Sequence, residues 1–173
     1  MNFNAAHLHL LVNHFPVEGV MFGVVLLVSG MTRRSEEWMK AAMVVFILAG
    51  IAAVAAFLTG QSAAHLMLRL PGISRAAVHA HSNAAGYALT GASILGLFCL
   101  LGWYGLTARH ISPWPRWFAP TCLLLSLIVT GLMAWTAYKG GEIRHPEARP
   151  GFHFPAPGPR QPPKEAAPGY QPK

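Results

Sequence analysis

Four long apolar runs constrain this chain more than any other feature. They extend from Phe15 to Met31, Ala41 to Gly60, Ala84 to Leu106 and Trp117 to Tyr138, and the only charged residue inside any of them is Glu18. About 20 apolar residues, at a rise of about 1.5 Å each, cross the ~30 Å hydrocarbon layer of a bilayer. Runs two to four meet that length. The first is too short if it begins at Pro16, so its helix is expected to start near Ala5 and to carry Pro16 inside it. The Val12 carbonyl would then lose its partner and the axis would kink. The alternative is a break at Phe15, with Pro16 opening a fresh helix. Either way the expected fold class is all-α: an integral membrane bundle of four transmembrane helices, spanning about 5–31, 39–60, 82–106 and 117–139.

Composition agrees. The chain is 53% hydrophobic and 11% charged, with no Asp, whereas a soluble domain carries about 25% charged residues. Its 173 residues form one compact unit rather than two. The net charge of +7 belongs to loops and tail, and no basic stripe is interleaved with aromatics, so nucleic-acid binding is not expected. Met1 to Asn13 has neither Lys nor Arg, so it lacks the basic start of a secretory signal, and the first segment is expected to stay in the mature protein. Cys99 and Cys122 lie in apolar runs and read as small core residues. No CxxCH attachment site for c-type haem is present.

From Pro146 the character changes, because nine of the fourteen prolines lie from that residue onward. Residues 148–173 are therefore expected to form a disordered, Pro-rich, flexible tail. The packed part is expected to end at about residue 147. Within it, Pro71-Gly72 signals a turn, Ser74 is placed to cap a helix starting near Arg75, and Thr59-Gly60 marks an end or a bend of the second helix.

Four crossings put both ends of the bundle on one membrane face. To that face belong His7, His9, His14, His65, His79, His81, His145 and His153, while His110 alone belongs to the other. Tryptophan does the reverse: Trp38, Trp103, Trp114 and Trp117 flank the opposite face as an interfacial belt. The positive-inside count is balanced, with Arg33, Arg34, Lys40, Arg109 and Arg116 set against Arg69, Arg75, Lys139, Arg144 and Arg149. The uncharged N-terminal arm favours the histidine face on the periplasmic side of a bacterial inner membrane.

Imidazole ligates both transition metals and haem iron, and a four-helix bundle builds cofactor sites from facing helices. Here each helix delivers a histidine to the same membrane depth. His14, His81 and His145 are the leading candidate ligands, followed by His9 and then His7 or His65. His79 and His81 stand about 200° apart on a helix, and His81 is taken as the inward one. Asn13 and Glu18 are expected to orient these rings, with Glu18 paired to His14. An intramembrane carboxylate is a functional candidate by default. The small residues from Ala49 to Ala56 leave room for a flat ligand. The leading cofactor is haem b, with copper or zinc as the alternative.

The stretch His7-Leu8-His9-Leu10-Leu11-Val12-Asn13-His14-Phe15-Pro16 is distinctive, as are Leu58-Thr59-Gly60 and Gly140-Gly141-Glu142-Ile143-Arg144-His145-Pro146-Glu147. On these residues the chain resembles the DUF2231 family of uncharacterised bacterial four-helix membrane proteins, over about residues 5 to 147. The resemblance implies the four-helix fold. By analogy it also implies haem binding and a link to electron-transfer chains, and it points to His7, His9, His14, His81 and His145. Two positions depart from the group: Ser82 follows His81 where Glu is usual, and Glu18 replaces an apolar residue.

The function expected is electron transfer through haem b, exchanging electrons with a quinone, a cytochrome or other respiratory-chain subunits, as an accessory membrane subunit rather than an independent enzyme. A metal-binding membrane protein is the second reading. A carrier is disfavoured because the mid-membrane is dry apart from Thr90, Ser93, Ser126 and Thr130. A structural subunit whose tail docks a partner through Pro155 to Pro163 is the third. No nucleophile–base pair, paired carboxylates or phosphate loop supports hydrolytic or transferase chemistry.

Overall fold

The computed structural model describes residues 4–108, 115–149 and 151–153. His110, Trp114 and nearly all of the Pro-rich tail lie outside the described residues. The helices are α1 (Ala5–Val12), α2 (His14–Arg33), α3 (Glu36–Met67), α4 (Arg75–Ala108) and α5 (Phe118–Arg144), with a short 3-10 turn at Pro146–Ala148. No strand occurs among the described residues. Four helical segments are long and apolar enough to cross a membrane, the first being Ala5–Arg33, which joins α1 and α2.

That first span is interrupted at a single residue rather than ended. Asn13, between α1 and α2, keeps helical dihedrals (φ −64, ψ −20), and its N–H bonds the His9 carbonyl. Pro16 offers no N–H to the Val12 carbonyl, which is the local reason for the bend. At the other end of the span Arg34 takes up a left-handed conformation (φ 54), and the Ser35 side chain caps α3 by accepting from the Trp38 N–H. This tight reversal makes α2 and α3 a hairpin.

The second helix does not stop at Thr59-Gly60 but runs on to Met67. Inside hydrocarbon every backbone polar group needs an internal partner, so a glycine there opens a side-chain seat without ending the ladder. After a turn that includes Gly72 at φ 79, Ser74 caps α4 by accepting from the Ala77 N–H at 3.3 Å. Pro120 falls in the first turn of α5, where its missing N–H costs nothing.

The helices form a ring in which α2 packs on α3, α3 on α4 and α4 on α5, with α5 closing against α2 and α1 lying along α3. Small residues set the spacing. Where α3 crosses α4, a Cβ at Gly50 would lie 3.1 Å from the Ala92 carbonyl oxygen and 3.6 Å from the Gly96 Cα. Where α2 crosses α3, a Cβ at Gly23 would overlap the Phe46 ring. The core contains Val20, Leu27, Met43, Phe46, Leu95 and Val129. Cys99 and Cys122 are wholly buried free thiols with their sulfurs 3.5 Å apart, joining α4 to α5. The outside is as apolar as the inside: Leu11, Met21, Val25, Ile51, Leu97 and Leu124 are all exposed. A surface of that kind faces lipid.

At the far end of α5 the chain turns back on itself. Arg149 Nε donates to the Glu142 carbonyl at 2.8 Å and its Nη2 to that of Ile143 at 3.3 Å, satisfying two helix-end acceptors. The buried Glu142 carboxylate is paired with Lys139 at 3.1 Å.

Candidate functional site

Two imidazoles at the histidine face turn into the bundle. His9, on α1, is half-buried and leans on α3. Its Nδ1 lies 3.0 Å from the Ala56 carbonyl oxygen and 3.3 Å from the Thr59 hydroxyl. That hydroxyl donates its own proton to the carbonyls of Ala55 and Ala56. His81, on α4, is also half-buried and leans on α5, with Nδ1 3.0 Å from the Thr136 carbonyl oxygen.

A carbonyl oxygen can only accept. Each Nδ1 therefore carries the proton, and each Nε2 keeps its lone pair free. Neither Nε2 has a hydrogen-bond partner among the described residues. Fixing Nδ1–H on a backbone carbonyl is the usual way a protein presents Nε2 to a metal.

The seats of the two rings are alike. A helical carbonyl is normally overhung by the Cβ of the residue four positions on, because Cβ atoms tilt toward the helix N-terminus. Four residues after Ala56 is Gly60, and four after Thr136 is Gly140. A Cβ at Gly60 would stand 3.0 Å from His9 Cε1, and one at Gly140 would stand 3.2 Å from both Cε1 and Nδ1 of His81. Both inward rings also end an H-x-H triplet, His7-Leu8-His9 and His79-Ala80-His81, whose first member is exposed. Each hairpin thus supplies a histidine from its first helix and a carbonyl-plus-glycine seat from its second.

The other candidates are dispersed. His14 is exposed and turns back to the Leu10 carbonyl at 3.3 Å. His65 is exposed on the last turn of α3, and His7 is exposed beside its capping partner Asn4, 2.8 Å away. His145 ends α5, exposed, with Nδ1 donating to the Glu147 carboxylate at 2.9 Å. The Glu147 backbone N–H, and next the His145 ring, hold that carboxyl below the usual carboxylate range. The structure thus turns His9 and His81 each onto a neighbouring helix, and leaves His14 and His145 exposed.

Asn13 and Glu18 differ from the orienting role expected of them, since neither hydrogen-bonds an imidazole among the described residues. The Asn13 Oδ1 is buried at the bend without a partner. Glu18 points out of the bundle, because position 18 falls on the stripe of α2 that borders α3 from outside. The ring seats at Ala56, Thr136, Gly60 and Gly140 escaped sequence reasoning. In the sequence Ala56 read only as one small residue of α3, Thr59-Gly60 only as an end or a bend, and Gly140 only as part of the Gly140-Gly141 motif.

The donor set distinguishes between ligands. Among the described residues no group of three or more His, Cys, Asp or Glu side chains is arranged to hold a metal ion. A closed protein site for zinc uses four such donors, whereas haem iron needs only axial ones. The two half-buried imidazoles, His9 and His81, are the donors that the described residues turn onto neighbouring helices.

The sequence model of a family described as a predicted membrane protein (DUF2231) matches residues 5–146. No curated protein and no solved structure matches the chain.

Proposed function

The chain belongs to the DUF2231 family of predicted membrane proteins, and on that footing we propose that it is a multi-pass haem b protein that carries electrons in a bacterial inner membrane. The observation that carries this reading is the matched pair His9 and His81. Each ring is locked by Nδ1–H on a backbone carbonyl, and each holds a free Nε2 at the same end of the bundle.

In this reading His9 and His81 would hold the haem iron through Nε2. The haem supplies reversible one-electron exchange when bound. Ala56 and Thr136 hold the tautomers and strengthen the rings as donors. Gly60 and Gly140 keep the rings' edges clear, and the apolar helices exclude water. Redox partners reach the site from the histidine face or from the lipid, which suits exchange with a quinone or a cytochrome.

An optical spectrum of the purified protein, oxidised and then reduced, tests the reading. A Soret peak that shifts on reduction, with sharp α and β bands, is expected. His9→Ala and His81→Ala should each abolish that spectrum, and His14→Ala and His145→Ala should leave it intact. A protein that stays colourless after expression with haem supplied would sink the proposal.

A further inference from the structure

Two nucleophilic side chains meet where the proposed haem site does not reach. Cys99 of α4 and Cys122 of α5 are both free and wholly buried, and their sulfurs lie 3.5 Å apart. Cys99 stands eighteen residues beyond His81 on α4, or about 27 Å at the helical rise. The pair therefore belongs to the other end of the bundle.

The contact follows from the register of the two helices. Where α4 meets α5, a Cβ at Gly102 would overlap the Phe118 ring, and one at Gly91 would lie 3.1 Å from Leu132 Cδ1 and 3.2 Å from Val129 Cγ2. These glycines lie on either side of Cys99 and let the helices approach closely. In an antiparallel pair so registered, position 99 falls opposite position 122. A lone buried thiol is inert, but two in contact can close a bridge. From 3.5 Å the sulfurs need to approach by only about 1.5 Å to reach the ~2.05 Å of a disulfide bond. The way in is the start of α5. Cys122 stands four residues beyond Phe118, which opens that helix without a side-chain cap, and helix ends fray.

We propose that Cys99 and Cys122 are a modification site: a reversible disulfide, formed by exchange with a small apolar disulfide, that clamps α4 to α5. In the first step one cysteine sulfur attacks a sulfur of the reagent. Its S–H bond and the reagent's S–S bond break, a mixed disulfide forms, and the proton leaves with the first released thiol. In the second step the partner sulfur, already in contact, attacks the mixed disulfide, and the second thiol leaves with the second proton. The cysteine pair is oxidised by two electrons and the reagent is reduced by two. The second step is intramolecular, so it outruns capture of another reagent molecule. The reagent is apolar because both sulfurs are sealed among core side chains. None of this depends on the haem reading.

The test is titration of the full chain in lipid nanodiscs with dipyridyl disulfide, an uncharged reagent whose released thiopyridone is counted by its absorbance, followed by intact mass. Two thiopyridones per chain are expected, with the chain lighter by two hydrogen atoms and free of adduct, and dithiothreitol should restore the starting mass. Cys99→Ala and Cys122→Ala should each release one thiopyridone and keep one pyridylthio group. The bridged chain should unfold several degrees above the reduced one, since a link across 23 residues restrains the unfolded chain. A chain that carries two pyridylthio groups, that bridges to a second copy, or that reacts only after unfolding overturns the proposal. So does a bridged chain that unfolds no higher than the reduced one, because α4 and α5 would then not be clamped.

Discussion

Single atoms decide the candidate site. The Ala56 and Thr136 carbonyls are ordinary helix acceptors, made reachable because the residue four positions on lacks a Cβ. Gly60→Ala should therefore disturb the His9 ring, whose Cε1 would meet the new methyl at 3.0 Å. We expect lower haem content and a shifted Soret peak, with Gly140→Ala acting likewise on His81. Gly131→Ala, where a Cβ would meet nothing within 4 Å, is the control. It should leave the spectrum unchanged and raise helix stability by up to about 1 kcal/mol. If all three variants behave alike, glycine is present for backbone reasons and the seat idea fails. Thr59→Val should be milder, about 0.5–1.5 kcal/mol at most, because the Ala56 carbonyl remains the nearer acceptor for His9.

At the scale of elements, the bend at Asn13 aims α1. Pro16→Ala would supply the missing N–H to the Val12 carbonyl and straighten the first span. Membrane insertion should be unaffected, since the span stays apolar. His9 should swing off Ala56, and haem content measured per mole of protein should fall several-fold. Unchanged haem content would show that the bend is incidental. The crossing of α3 and α4 is set differently, by the approach of Gly50 to the Ala92 carbonyl and Gly96. Gly50→Val would push side-chain atoms into a backbone oxygen that cannot retreat alone. Overpacking of this kind costs about 1–3 kcal/mol, readable as a lower unfolding midpoint in detergent. The buried thiols of Cys99 and Cys122 have no part in the site, which lies toward the opposite face.

For the whole molecule, the polarity of its two ends is the feature with consequences. Among the described residues the histidines lie toward one end of the bundle, so the cofactor proposed here would open to one compartment only. The balanced lysine and arginine count leaves orientation to weaker signals, the uncharged arm before Asn13 and the Arg33-Arg34 pair. On the proposed reading the histidine face is periplasmic. Alkaline phosphatase fused to the C-terminus should then be active, and green fluorescent protein fused there should stay dark. The reverse pattern would put the site in the cytoplasm and change its redox partners.

Much of the architecture was legible in the residues alone. Four apolar runs dictate four crossing helices, because backbone polar groups have no other partner in hydrocarbon, and Ser74 announces the start of α4 as plainly as Pro16 announces the bend in the first span. Periodicity likewise singled out His81 over His79. The choice among the remaining histidines was not legible, since His7, His9, His14, His65 and His145 all lie toward one end of the bundle and the sequence does not say which way each ring turns. That direction depends on the bend at Asn13 and on which neighbouring helix exposes a carbonyl over a glycine. Only the packed bundle brings His9 over Gly60 and His81 over Gly140, leaves His14 and His145 outside, and turns Glu18 away from His14 toward the lipid.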